Sequence, residues 1–211
     1  MSIVYPVNLL PGFPGWTTGF SLHWRQEQST QASGRVLVKD MGSPLWTLRA
    51  TTKSLSPNEL DTWRAKLTTL ENGLKTFWGY PMSRCYPILY PNGSWPTGGA
   101  FNGNAVLSSI NANRKAIALQ ALPAGFKLTV GDYLSIDGDL HQVMEPATAN
   151  GSGVTGEFEV RPHLWPAAAV ADPVSVKQPA CLMAIVPGSL SSDAQVAGWG
   201  SVSFSAMEAR L

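Results

Sequence analysis

The chain is poor in charged residues, in cysteine and in long apolar runs. Only 14% of its 211 residues are charged and the net charge is +1, whereas roughly a quarter of an ordinary globular protein is charged. A general nucleic-acid binder needs a basic excess to neutralise phosphates, so this balance argues against that class. Two cysteines are too few for a disulfide scaffold or a cysteine-based zinc site. No apolar run approaches the ~18 residues that indicate a membrane helix, so no membrane insertion is expected.

The N-terminal segment also lacks the features of an export signal. No basic residue precedes Arg25, and Pro6 and Pro11 interrupt the first apolar stretch. Folding in the cytosol is therefore expected. Disorder is not expected, because the chain is 44% hydrophobic and carries eight tryptophans, and disordered chains have few aromatic residues.

One segment has the pattern of an α-helix. Ser56 is a candidate N-cap, Pro57 occupies the first helical position and Glu59 lies three residues after the cap. The apolar residues that follow at three- and four-residue steps are Leu60, Trp63, Leu67 and Leu70. Residues 72–73, Asn-Gly, supply a left-handed stop. The pattern predicts a helix over residues 57–71.

Most of the remaining chain has the pattern of β-strands. Phe20, Leu22 and Trp24 alternate with polar residues, which predicts a half-buried strand with Trp24 in the core, and Trp46 is assigned to the core in the same way. Further strands are predicted at residues 36–38, 46–50, 74–80, 84–90, 105–110, 116–122, 133–136, 140–145, 157–161, 173–176, 179–186 and 201–208. Residues 137–138, Asp-Gly, predict a hairpin turn between two of them.

A turn-rich connector at residues 91–99 divides the chain, and short strands follow it at regular spacing. Such spacing is typical of a small all-β sandwich or barrel. We therefore expect a mainly β protein with one α-helix, in which a split β domain of residues 1–95 and 180–211 is interrupted by an inserted β domain of residues 96–179. Cys85 and Cys181 flank the insertion and are expected on neighbouring strands as free thiols.

Few patterns point to a metal or to a catalytic base. Asp137, Asp139 and His141 alternate and could share a metal ion, but Asp-Gly also suits a tight turn. His163 lies between two prolines, where a role as ligand or base competes with a hydrogen bond to a rigid turn. No metal, cofactor or catalytic residue is predicted.

Two carboxylates leave one enzymatic hypothesis open. Glu157 and Glu159 alternate on a predicted strand, which places them roughly 7 Å apart on one face. Glycosidases use carboxylate pairs at such distances, although usually from different strands, and a solvated strand face gives the same pattern. The sequence contains no serine nucleophile elbow, no His-Glu-x-x-His and no phosphate-binding glycine loop before a helix. The chain is therefore predicted not to be an enzyme.

Three tryptophans are candidate contacts for a ligand or a partner. Trp95 and Trp199 lie in glycine-rich loops, and Trp165 lies in a proline-rich segment. Such residues could stack on a sugar or fill a pocket in a partner subunit, or they could fold back over the core. The sequence does not decide between these roles.

Segments spread over most of the chain carry a family resemblance. They are residues 46–50, the capped helix with Leu60, Trp63 and Arg64, and residues 77–80, 131–136, 159–166, 181–183 and 201–208. In this order they resemble the distal tail proteins of long-tailed bacteriophages, or a neighbouring baseplate protein. The resemblance implies a split β domain of tail-tube type that assembles as a six-membered ring beneath the tail tube. It also implies an inserted domain, galectin-like in many members, that projects outward.

The shortage of charge agrees with a ring, because a subunit buries about 800 Å² on each standard contact face and such faces are poor in charge and rich in aromatics. We therefore expect a structural virion protein without catalysis. Its homohexameric ring would join the tail-tube protein to the hub of the tail tip, after assembly in the host cytoplasm. Basic residues could line the ring's lumen, pair with another ring or form a solvated face. They are Arg25, Arg35, Lys39, Arg49 and Lys53.

Two other functions remain open at this point. The first is a carbohydrate-binding module that uses exposed tryptophans, such as Trp95, Trp165 or Trp199, as stacking platforms for a host surface glycan. The second is a cell-wall hydrolase with Glu157 or Glu159 as the acid.

Overall fold

The computed structural model describes residues 3–97 and 101–210, apart from the side chains of Trp16 and Val196. The described chain is mainly β with one α-helix, as predicted. It divides into two compact units. Met1–Gly79 and Met183–Leu211 form the split unit, and Tyr80–Leu182 form the barrel unit.

The split unit is built on a sheet, a separate hairpin and the helix. Its elements are β1 (Gly15–His23), β2 (Gln26–Thr30), β3 (Val36–Asp40), β4 (Leu45–Thr52), α1 (Pro57–Thr68) and β5 (Thr76–Gly79), then β14 (Cys181–Ile185), β15 (Ser191–Ala194) and β16 (Gly200–Glu208). The boundary between the units falls within β14, after Leu182. The sheet has the order β1-β4-β16-β14-β5, with β15 paired to β16 as well. Alternate residues of β4 and β16 point into the core, and Trp46 is 2% exposed. Trp46 is therefore a core residue, as its strand predicted.

The helix begins where the sequence places it. The Glu59 carboxylate accepts hydrogen bonds from the hydroxyl and the backbone N–H of Ser56, at 2.7 and 3.0 Å, and these bonds lower the pKa of Glu59. The helix ends at Thr68, before the predicted end at residue 71. The chain forms a separate 3-10 turn at Glu71–Gly73, in which Asn72 has a φ of 52°. The left-handed residues therefore lie in a separate turn after the helix and do not themselves end it.

The barrel unit contains a closed six-stranded barrel. Its elements are β6 (Asn104–Ile110), β7 (Ala116–Gln120), β8 (Lys127–Leu128), β9 (Tyr133–Ile136), β10 (Asp139–Val143), β11 (Ala147–Thr148), β12 (Phe158–Arg161) and β13 (Pro173–Ser175). The barrel has the order β10-β12-β7-β6-β13-β9, and pairing of β9 with β10 closes it. Asp137 and Gly138 join these two strands with φ of 46° and 88°, which is the hairpin turn predicted from Asp-Gly.

The first boundary between the units differs from the predicted one at residue 95. Residues 80–95 belong to the barrel unit, because Tyr90 and Trp95 pack in its core together with Phe126. The segment at 84–90, predicted as a strand, contains turns and bends and no strand. Pro87, in the middle of this segment, lacks the N–H that a strand ladder needs.

A buried carboxylate holds this segment to the barrel instead. Asp132 is 2% exposed and accepts a hydrogen bond of 2.7 Å from the backbone N–H of Ile88. It also accepts bonds from the backbone N–H and the hydroxyl of Thr129, at 2.8 and 3.1 Å. A side chain far along the sequence therefore replaces the strand pairing that the local pattern predicted.

Neither cysteine forms a disulfide, but they do not lie on neighbouring strands as predicted. Cys181 begins β14, whereas Cys85 lies in the irregular segment before Tyr90. Cys85 is half-buried, and its thiol donates to the carbonyl of Met82 at 3.6 Å. Burial raises the pKa of the Cys85 thiol above its ordinary value.

We expect slow alkylation of Cys85 by iodoacetamide, because a raised pKa leaves a smaller thiolate fraction at any given pH. The rate should keep rising with pH above the ordinary thiol pKa. Cys181 is fully buried and should react only after unfolding in urea. Mass spectrometry of the peptides would follow both sites, and equal labelling of the two cysteines in the folded protein would contradict this expectation.

Candidate assembly surface

A two-stranded hairpin extends from the split unit, and residues 24–41 are named here the arm. Strand β2 pairs with β3 in antiparallel register from Gln26 opposite Asp40 to Thr30 opposite Val36. The turn is closed by hydrogen bonds of 2.9 Å from Gln31 N–H to the Arg35 carbonyl and 2.8 Å from Gly34 N–H to the Gln31 carbonyl. At the base, Met41 N–H donates to the Arg25 carbonyl at 2.7 Å. Backbone hydrogen bonds therefore define the arm along its whole length.

Every residue of the two arm strands is exposed, including three apolar residues in a row. Val36, Leu37 and Val38 are 49%, 43% and 59% exposed. Because side chains alternate along a strand, Val36 and Val38 lie on one face of the arm and Leu37 on the other. Trp24 and Met41, at the base, are 50% and 53% exposed. The arm therefore presents apolar surface on both of its faces.

The arm strands pair only with each other among the described residues. An isolated two-stranded hairpin is marginally stable in water, and open strand edges are templates for pairing with another chain. The arm therefore has the properties of a segment that is stabilised by contact with a second molecule.

Charge on the arm is small and largely balanced. Arg25, Arg35 and Lys39 carry three positive charges, and Glu27 and Asp40 carry two negative charges. Lys39 is opposite Glu27 in the register, so the two side chains lie on the same face. The basic residues that the sequence singled out are all exposed, and the three on the arm are accompanied by two acidic residues.

A second open edge lies next to the arm in the sequence. Strand β1 is the first strand of the sheet and pairs with β4 on one side, while its other side meets no strand within residues 3–97 and 101–210. Phe20 stacks on Trp46 with ring centroids 5.1 Å apart. Trp24 follows the last residue of β1 and is half exposed, so its predicted burial is wrong. The alternation continues only as far as the strand does.

The three tryptophans predicted as contacts differ in exposure. Trp95 is 8% exposed and packs against Tyr86, Tyr90, Phe101 and Phe126. It belongs to the barrel core, which is the second of the two roles that the sequence left open for it.

The other two lie nearer to solvent. Trp165 is half-buried, in a loop whose carbonyls at Leu164 and Ala168 accept hydrogen bonds from the Arg114 guanidinium at 3.2 and 2.8 Å. Trp199 is 49% exposed and precedes β16. Of the three, Trp199 offers the largest open fraction of its ring.

Three of the remaining polar candidates make hydrogen bonds or ion pairs within the barrel unit. His141 is 1% exposed, with Nδ1 at 2.9 Å from the Pro162 carbonyl. Glu157 accepts from Asn111 at 3.4 Å, and Glu159 pairs with Arg161 at 2.5 Å. Among the described residues, no group of three His, Cys, Asp or Glu is placed to hold a metal ion.

Sequence patterns predicted the strand at residues 36–38 but not its exposure, and they missed its partner β2. Strand β2 reads Gln-Glu-Gln-Ser-Thr, which has no apolar residue to signal a strand. The sequence signal that could have indicated the arm is the uninterrupted Val-Leu-Val of β3 close to the wholly polar segment of β2. Such a run normally indicates a buried strand, and only the structure shows that none of the described residues covers it.

None of the described helices is long and apolar enough to cross a membrane. No protein-family model matches the chain, and no curated protein is significantly similar to it.

Proposed function

We propose that this protein is a structural component of a bacteriophage tail that forms a homohexameric ring at the distal end, between the tail tube and the tip hub. The proposal gives the chain no catalytic role. The observation that carries it is the arm, an exposed hairpin with apolar residues on both faces and two open edges.

Because the arm has apolar residues on both faces, it is better suited to insertion between two neighbouring molecules than to contact with one molecule on one face. Val36 and Val38 can be buried by one neighbour while Leu37 is buried by another. Five residues per strand correspond to a reach of about 17 Å at ~3.4 Å per residue. Such a length suits an extension that crosses from one subunit to the next.

A ring requires that a subunit use two different surfaces, one for each neighbour. The arm supplies one of them, and the open edge of β1 supplies a second that can take up backbone hydrogen bonds. The low charge of the chain supports the same reading, since contact surfaces are depleted of charged residues. The resemblance of the sequence to distal tail proteins supplies the location, the virion tail, and assembly in the host cytoplasm.

Size-exclusion chromatography with light scattering tests the ring at micromolar protein concentration. We expect a species of six chains, alone or in a mixture with the tail-tube and hub proteins. A strictly monomeric chain under both conditions would defeat the proposal.

The double variant Val36→Ser, Val38→Ser tests the role of the arm. We expect it to shift the assembly toward monomer, because each buried valine contributes about 1.5–3 kcal/mol. Val130→Ser in the barrel unit is the matched control, since Val130 is 56% exposed. Equal loss of assembly in both variants would show that the arm is not the contact.

A further inference from the structure

The irregular segment that precedes the barrel strands forms a small pocket, named here the loop pocket. It is lined by residues 82–88 together with Pro91 and Asn92, all within the barrel unit. Its volume is about 330 Å³, at the lower end of the roughly 300–1,000 Å³ that small-molecule sites occupy. The pocket therefore suits a small molecule or the end of a peptide.

Contacts with the rest of the barrel unit hold this segment in place. The backbone N–H of Ile88 donates to the buried Asp132 carboxylate at 2.7 Å. The Cys85 carbonyl accepts a hydrogen bond of 2.6 Å from the backbone N–H of Gln178. The walls of the pocket are therefore formed by the folded chain, so that binding need not order a mobile loop.

Apolar side chains make up much of the lining. Pro87 is buried, Met82 and Tyr86 are half-buried, and Ile88 is 41% exposed. The ring centroid of Tyr86 lies 6.1 Å from that of the core residue Trp95. An aliphatic group in the pocket would remove this apolar surface from water, which is favourable.

The lining also carries one positive charge. Arg84 is the only charged residue among the described residues that line the pocket. Its guanidinium is exposed and makes no ion pair within the described part of the chain. The Ser83 hydroxyl and the Asn92 amide also make no hydrogen bond to a described residue. Three polar groups around an apolar pocket are therefore open to a ligand.

A single guanidinium selects the charge of that ligand. Its N–H groups match the two oxygens of a carboxylate, and one positive charge balances one negative charge. A phosphate group carries about −1.5 to −2 at neutral pH, more than Arg84 alone can balance. A monoanion with an apolar body therefore fits the lining better than a phosphate or a neutral polar molecule.

From this arrangement we propose that the loop pocket binds a small carboxylate that has an apolar body. The carboxylate pairs with Arg84, and the apolar body covers Pro87 and Ile88. Two sources have this chemistry: a free carboxylic acid, and the C-terminal carboxylate of another protein that ends in an apolar residue. One chain supplies the whole pocket, so its occupation does not require the proposed ring.

Ligand-observed NMR with three probes tests the pocket. Hexanoate represents the free acid, N-acetyl-leucine represents a chain end, and N-acetyl-leucinamide is the matched probe without charge. We expect at least one acid to bind saturably, about tenfold more tightly than the amide and more weakly at high salt. Whichever acid binds more tightly identifies the source.

Absence of saturable binding of both acids up to about 10 mM would overturn the proposal. Equal binding of acid and amide would overturn the carboxylate class. Tighter binding of inorganic phosphate than of either acid would overturn the choice of a monoanion.

The variant Arg84→Gln should weaken binding of the acid about tenfold and abolish its advantage over the amide. Ile88→Ser should weaken acid and amide alike, because it removes apolar contact only. Arg35→Gln is the matched control, since Arg35 is also exposed but lies on the arm. Equal weakening by Arg35→Gln would show general attraction of anions and would overturn the site. Circular dichroism checks that each variant is folded.

Cys85 provides a second readout, because it lines the same pocket. A bound acid should slow alkylation of the Cys85 thiol by iodoacetamide at fixed pH, and Arg84→Gln should remove this protection. An unchanged alkylation rate at saturating acid would place the bound acid elsewhere and overturn the assignment.

Discussion

Replacement of Glu208 by leucine is expected to lower the free energy of unfolding by about 3–5 kcal/mol, as breaking a buried ion pair does. The Glu208 side chain is 1% exposed. One carboxylate oxygen accepts the Trp46 backbone N–H at 3.0 Å, and the other pairs with the Arg210 guanidinium at 2.8 Å. Leucine would remove the acceptor that these two donors share, so the buried N–H of Trp46 would lose its hydrogen bond.

Urea denaturation at one fixed protein concentration measures this effect, since assembly would itself add stability. Glu208→Gln keeps an acceptor for Trp46 and should cost less, about 1–2 kcal/mol. Asp61→Asn breaks an exposed pair with Arg64 in the same unit and should cost no more than about 0.5 kcal/mol. An equal effect of Glu208→Leu and Asp61→Asn would show that the buried carboxylate has no special role.

Replacement of Trp95 by alanine is expected to destabilise the barrel unit by about 3–5 kcal/mol, the usual range for a large aromatic removed from a core. The ring centroid of Trp95 lies 5.1 Å from that of Phe101, in an edge-to-face contact, and 5.9 Å from that of Tyr90. Its removal would leave a cavity among these rings and would break the aromatic pairs.

Trp199→Ala provides the comparison, because Trp199 is half exposed and its loss should cost less than about 1 kcal/mol. Thermal unfolding monitored by circular dichroism would measure both variants. If Trp95→Ala left the unfolding transition in place, Trp95 would not be a core residue and its predicted role at the surface would regain support.

Local patterns in the sequence predicted those elements whose stability comes from short-range interactions. The helix start at Pro57 follows from a capping box, and the turn at Asp137–Gly138 follows from the left-handed preference of its residues. The inward faces of β4 and β16 follow from period-two alternation, because one face of their sheet is buried. In each case the residues that decide the structure are close together in the chain.

The sequence patterns missed an element that has no apolar residues, and they predicted burial for apolar residues that are exposed. Strand β2 has no apolar residue, and β3 has three that remain in solvent. Trp24 continues an alternation beyond the end of its strand. The sequence therefore predicted a strand at the candidate assembly surface, but it did not predict that the strand is exposed. Exposure depends on which residues the rest of the chain covers.

By itself, the amino-acid sequence determined the mainly β character, the single helix and an insertion that interrupts a split unit, because strand, helix and turn preferences act over a few residues. Only the tertiary structure decided that residues 80–95 join the barrel, that Trp95 is buried and that the arm is exposed. These outcomes depend on contacts between distant residues, such as Asp132 with Ile88. A buried carboxylate or an aromatic cluster stabilises such contacts, and the local sequence preferences for strand, helix and turn do not predict them.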